Sequence, residues 1–203
     1  MAARKASRAE QALRLVKRRG LVRPRDLAPF GIQPFHFRRL LHKGQITQVS
    51  RGVYRSIEHE PTEHHRLAEA AKVVPNGLIC LLSALHFHGL TKTSPPEVWV
   101  AIGHKAHQPT TEGIPIRFVR FSGAALSEGV TEHVVEGVLV RVTTCTKTVA
   151  DCFKYRNKIG LDVAIQALRE CIRQNRCPKA ELAKCAELCR MTGVMRPYLE
   201  ALA

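Results

Sequence analysis

Residues 34–55 read PFHFRRLLHKGQITQVSRGVYR, and the hydrophobic period changes within them. Pro34 suits the first position of a helix, where its missing N–H costs nothing. Phe37, Leu40 and Leu41 then recur at i, i+3 and i+4. That spacing makes an inward stripe and leaves His36, Arg38, Arg39, His42 and Lys43 on the outer and flanking surface. Gly44 ends the helix. Beyond it, Ile46–Val49 and Gly52–Arg55 are short β-prone segments, joined through Ser50, Arg51 and Gly52 as a hairpin.

The residues upstream supply what such a unit needs. Ser7 followed by Glu10 is a capping box, and Ala9, Ala12, Leu13 and Val16 follow at helical spacing until Gly20. Pro24 opens a second, short helix, Arg25 to Ala28, which Pro29 and Gly31 close. A short helix, a tight turn, a longer basic helix and a basic hairpin together predict a winged helix-turn-helix over residues 1–57.

Charge follows the same division. The chain has 203 residues and a formal net charge of +15. The first 60 residues hold 14 basic and 4 acidic side chains, net +10; the other 143 hold 18 and 13, net +5. A positive field concentrated on a compact module attracts polyanions. Arg38 and Arg39 have the geometry to bind guanine edges bidentately, and His36 and His42 share their helix. Lys43 and Arg25 suit phosphates. Gln33 stands where it either reaches a base edge or caps the helix, and Ser50 and Arg51 form a wing tip for the backbone or minor groove.

Residues 58–203 read as a mixed α/β domain with a helical C-terminal end, so the fold class is α+β. After a linker containing Pro61, a helix is expected from Thr62 to Val74 with Thr62 as its N-cap, then an apolar helix from Leu78 to His88. Val98–Ile102 is a continuous apolar run that suits a strand covered on both faces, and Ile116–Phe121 alternates. A hairpin follows, 133–135 and 138–142, turning at Glu136-Gly137. Helices are then expected over 146–155, 161–174, 178–189 and 194–202.

Three strings in order, Arg51-Gly52-Val53-Tyr54-Arg55, Ser83-Ala84-Leu85 through Gly89-Leu90, and Lys147-Thr148-Val149-Ala150-Asp151-Cys152-Phe153, resemble the AbiEi-family antitoxins of type IV toxin–antitoxin systems. The likeness covers nearly the whole chain. It implies a bacterial antitoxin whose winged helix binds inverted repeats in its own promoter. The C-terminal domain is then expected to antagonise a nucleotidyltransferase-like toxin of the AbiEii type, with direct contact left open. A stand-alone winged-helix regulator with a partner- or ligand-sensing C-terminal domain uses the same residues, and a DNA-targeted nuclease is the rival from the enzyme class.

Against the nuclease, the acids are scattered and lack carboxylate-x-Lys spacing. Zinc-protease, P-loop and nucleophile-elbow motifs are absent. No catalytic residue and no cofactor are expected. Asp151 reads as a structural acid near a helix N-terminus, and Lys147 as a solvated lysine. Seven cysteines at irregular spacing predict reduced thiols, with Cys171, Cys177, Cys185 and Cys189 packed as small hydrophobes and not as zinc ligands. His86 and His88 face different ways, as do His64 and His65, so no metal site is expected. The longest apolar stretch, Leu78–Leu85, is too short to cross a bilayer, and Met1–Arg8 is charged with no apolar core behind it, which predicts a cytoplasmic protein with no membrane partner.

Overall fold

The computed structural model describes residues 7–111 and 113–201. Most of the Met1–Arg8 stretch and Leu202 lie outside those residues. The chain is α+β and divides into two compact units. The first runs to Pro75 and includes Pro109–Pro115 and His133–Val140; the second comprises Asn76–Gln108, Ile116–Glu132 and the chain from Arg141 onward. The first unit therefore extends past the 1–57 segment.

In the first unit, helix α1 (Arg8–Arg19) starts with the expected capping box. The Glu10 amide donates to Ser7 Oγ at 3.2 Å and the Ser7 amide to Glu10 Oε2 at 2.8 Å. Helix α2 (Pro24–Leu27) is followed by a single 3₁₀ turn, Ala28–Phe30, and then by α3 (Pro34–His42). Strands β1 (Ile46–Ser50) and β2 (Val53–Ser56) pair antiparallel with an irregularity between Gln48 and Ser50. Val22 exchanges both backbone hydrogen bonds with Tyr54, at 2.9 and 2.8 Å, so the stretch before α2 adds a bridge to the hairpin. Val16, Leu27, Ile32, Phe37, Leu40 and Ile46 fill the core beneath.

Helix α4 (His65–Val73) begins three residues later than the Thr62 start read from the sequence. Thr62 does not cap it. Its amide and hydroxyl both donate to Glu136 Oε1, at 2.7 and 2.8 Å, while Glu136 Oε2 lies 2.9 Å from His59 Nε2 and 2.7 Å from His65 Nδ1. Glu136 and Gly137 have φ of +49° and +73°, the signature of the tight I′ hairpin turn that the sequence places there. The fit of this turn against the end of α1 is close. A Cβ on Gly20 would strike the Glu136 carbonyl oxygen, and one on Gly137 the Arg19 carbonyl oxygen. Burial acts to raise the Glu136 carboxyl, but the hydrogen bonds from His65, Thr62 and His59 outweigh it and hold the group at about 2.

The next elements in chain order are β3 (Leu78–Ile79), α5 (Leu81–Phe87), β4 (Val98–Gly103), β5 (Ile116–Phe121), α6 (Ala124–Ser127), β6 (Val130–Val135) and β7 (Val138–Thr143), of which the β6–β7 turn region, His133–Val140, belongs to the first unit. The sheet order is β5-β4-β3-β7-β6. Strands β4 and β5 run parallel from Val98↔Ile116 to Gly103↔Phe121, and β4 is buried on both faces, as its unbroken apolar run requires. The single helix expected over Leu78–His88 is corrected: Leu78 and Ile79 pair with Ala101 and Val100, and the helix starts only at Leu81. An apolar run without a clear period fits either element until its partner strand is known.

Helices α7 (Cys145–Lys154), α8 (Arg156–Ile159), α9 (Leu161–Arg173), α10 (Lys179–Leu188) and α11 (Thr192–Ala201) complete the unit. Helix α7 is buried from Cys145 to Phe153, so Lys147 has no route to solvent and its reading as a solvated lysine is corrected. Its Nζ lies 2.6 Å from Asp151 Oδ2 and 4.7 Å above the Phe121 ring, and Cys189 donates to Asp151 Oδ1 at 3.2 Å. Asp151 is thus a structural acid, held by a buried cation. Cys171 and Cys177 form a disulfide, against the expectation of reduced thiols; their Cα atoms are 5.6 Å apart, within bridging range. Among the described residues no helix is long and apolar enough to cross a membrane.

Breaking the buried pair on one side leaves an uncompensated charge. Lys147→Met should therefore destabilise by roughly 3–5 kcal/mol, and the double change Lys147→Met/Asp151→Leu should restore much of the loss, as read by urea unfolding. In the first unit, a carboxyl ordinarily near 4.5 but held at about 2 contributes stability that is complete above the higher value and disappears as pH falls toward the lower. His59, His65 and Thr62 face the carboxylate, and Glu69 interacts with it while feeling the charges of Arg55 and Arg66. Glu136→Gln should lower stability at pH 7 and flatten the acid-unfolding curve between those two values.

Candidate nucleic-acid interface

Rotation of α3 about its axis decides which side chains face outward. Phe37 and Leu40 are buried, the Phe37 ring lies tilted against Tyr54 with centroids 5.1 Å apart, and Leu41 packs on the core edge, as the i, i+3, i+4 stripe requires. Arg38, Arg39, His42 and Lys43 are consequently exposed. Arg38 and His42 lie one turn apart, and so do Arg39 and Lys43. Arg25 is exposed on α2, and Gln33 is exposed at the N-cap of α3. None of these makes an ion pair among the described residues.

Other cations of the unit are engaged internally. Arg19 covers the Phe30 ring at 4.9 Å and donates to the Asp26 carbonyl at 3.2 Å; Arg8 donates to Phe30 O at 3.2 Å. Lys72 pairs with Asp26 at 2.7 Å. Burial tends to raise the Asp26 carboxyl, but hydrogen bonds from Lys72 and the Arg23 amide, with the charges of Lys72 and Arg25, hold it below its ordinary value. Lys17 is tied to Glu58 at 2.7 Å. The +10 segment is thus partly spent on holding its own fold.

Two residues leave the candidate surface. His36 is only 8% exposed; its Nδ1 accepts the Gln33 amide at 2.9 Å, closing the first turn as an acidic N3 residue does in a capping box, and its ring lies 3.9 Å from that of Phe35. Ser50 is 5% exposed and pairs with Val53; Gly113 lies against it, where a Cβ would sit 3.1 Å from Val49 O and 3.2 Å from Ser50 Cα. Arg51 stays exposed, with Gly52 at φ +69° carrying the turn.

Phe35 is a residue the stripe reading passed over. It is 62% exposed. At two residues before Phe37 it falls about 200° away around a 3.6-residue helix, so the helical wheel places it on the outer face.

Three helices, a two-stranded wing and an outward cationic helix face define a winged helix-turn-helix module. Residues 10–57 match the family model described as transcriptional regulator, AbiEi antitoxin, and the match ends with the wing. The N-terminal module is therefore similar to that of AbiEi-type transcriptional regulators, in line with the resemblance read from the sequence. No curated protein matches the chain.

If His36 serves the helix start, His36→Ala should cost about 1 kcal/mol of stability. Urea unfolding reads that loss, and the variant, once folded, should keep the base preference of the parent in a competition binding assay.

Proposed function

We propose that this protein is a cytoplasmic DNA-binding repressor and antitoxin of a type IV toxin–antitoxin system. Its winged helix would autoregulate its operon through promoter inverted repeats, and the chain would antagonise a nucleotidyltransferase-like toxin. The observation that carries the reading is the coincidence of the family match over 10–57 with an α3 whose outward cations are not consumed by internal pairs. The chain acts by binding and not by catalysis.

Within this reading α3 enters the major groove. Arg38 and Arg39 read guanine O6 and N7, Lys43 and Arg25 hold phosphates, His42 flanks them, and Gln33 reaches a base edge from the helix start. Phe35 joins them as an apolar contact for a thymine methyl. Arg51 alone serves the wing tip. A second reading, a regulator whose C-terminal part senses a partner or small molecule, draws on a cavity of about 570 Å³ lined by Ile172, Cys177, Leu182 and Leu199. Co-expression with the adjacent gene product separates the two: relief of growth arrest is expected for an antitoxin, and intact DNA binding without relief would leave the plain regulator.

Arg38→Ala and Arg39→Ala should each cost roughly 1–3 kcal/mol on the cognate duplex and relax preference at one position, while Arg51→Ala should weaken all sequences alike. Contact with about five phosphates predicts a slope near −4.5 in log K against log salt. Fluorescence anisotropy on upstream DNA measures both. A nearly flat salt dependence would contradict a phosphate-held complex.

A further inference from the structure

The sequence gives no hint that His59, His65 and Glu136 belong together, since more than seventy residues separate the carboxylate from either imidazole. In the first unit their ligating atoms lie within 4.8 Å of one another. The set is two imidazoles and one carboxylate, the donor combination of three-ligand zinc centres that keep a further position for water. Three features of the surroundings match such a centre.

The first is the backbone of Glu136. It holds φ of +49° at a turn position that glycine or asparagine occupies at lower cost. A glutamate in that strained position points to a use for its side chain. The second is the orientation of the carboxylate. Thr62 donates from both its amide and its hydroxyl to Oε1, at 2.7 and 2.8 Å, so Oε2 is the oxygen that faces Nε2 of His59 and Nδ1 of His65. Fixing one carboxylate oxygen so that the other points at the metal is the usual outer-shell arrangement.

The third is access and charge. The Glu136 side chain is 1% exposed, whereas His59 and His65 are 22% and 16% exposed, so an ion has a route in past the imidazoles. Glu69, one helical turn beyond His65, is a second buried carboxylate whose charge interacts with both His65 and Glu136. It offsets the charge left over when a dication meets a single ligating carboxylate.

We infer that His59, His65 and Glu136 form a zinc-binding site that fastens the segment following the wing to the Glu136 turn.

The geometry states what binding must change. Zinc bonds of about 2.0–2.2 Å in a tetrahedral field place ligand atoms roughly 3.3 Å apart. Both imidazole nitrogens sit 2.7–2.9 Å from Oε2, so each ring withdraws by about half an ångström. The nitrogen facing Oε2 must offer its lone pair to the metal, so a proton carried there has to leave that nitrogen.

The test uses the full chain and zinc alone. After metal loading and dialysis, one equivalent of zinc is expected to remain, with affinity read by competition against a chromophoric chelator. His59→Ala and His65→Ala should each weaken it at least about tenfold, and Thr62→Val, which keeps the ligands and removes one donor to Oε1, roughly tenfold. Cys145→Ser should leave it unchanged, because the only other close donor cluster among the described residues is Cys145, Cys171 and Cys177. Cobalt substitution of the unmutated chain should give visible bands of tetrahedral cobalt without a thiolate-to-cobalt charge-transfer band. This reading stands even if a histidine variant fails to fold. No retained zinc, retention unaffected by the histidine and Thr62 changes, or a thiolate band would each overturn the proposal. None of these readouts depends on DNA or toxin, so the DNA-binding reading stands or falls separately.

Discussion

Burial of Phe37 and Leu40 fixes the rotation of α3, and most of what the first unit presents to its surroundings depends on that constraint. Two large side chains each gain about 1.5–3 kcal/mol by leaving water, which far exceeds any preference of a surface arginine for one direction over another. Once that face is inward, the exposed positions of Arg38, Arg39, His42 and Lys43 follow from the 3.6-residue period. The Val22–Tyr54 bridge and the Phe37–Tyr54 ring contact tie the wing to the same core, so helix and hairpin are positioned by shared residues.

How much of this is legible in the sequence depends on how local the cause is. The capping box at Ser7 and Glu10, the stripe on α3, the fully covered strand β4 and the turn at Glu136-Gly137 all act within a few residues, and a reader of the chain finds them. His36 is nearly local but ambiguous: a basic residue at the third helical position looks like a surface cation until its nitrogen is seen to accept the Gln33 amide. Ser50 was hidden by a segment sixty residues away. Lys147 and Asp151 share a helix at i, i+4, a spacing that elsewhere marks a solvated pair, and only the packing of helix α7 shows that they are sealed in. The split of Leu78–His88 into strand and helix waits on pairing with β4. The convergence of His59, Thr62 and His65 on Glu136 has no local signature at all.

Net charge takes a more specific meaning in the same light. Of the basic residues in the first segment, Arg8 and Arg19 brace α1 against Phe30 and Lys17 meets Glu58, so their presence is accounted for by the fold. The α3 cations have no such internal role, which is why they, and not the total of +15, support a polyanion partner. The family match supports the same module and stops at residue 57, so the antitoxin role of the remaining chain rests on the toxin-rescue experiment and not on the fold.

On the proposed reading, the outward face of α3 reads the major groove. Methylation interference on the upstream DNA tests it most directly, because methylation of guanine N7 blocks a major-groove atom that Arg38 or Arg39 would engage. The account predicts that binding is abolished by N7 methylation at a small set of guanines repeated in each half-site. Binding that tolerates N7 methylation throughout the protected region, or that responds only to modification of adenine N3 in the minor groove, would contradict it.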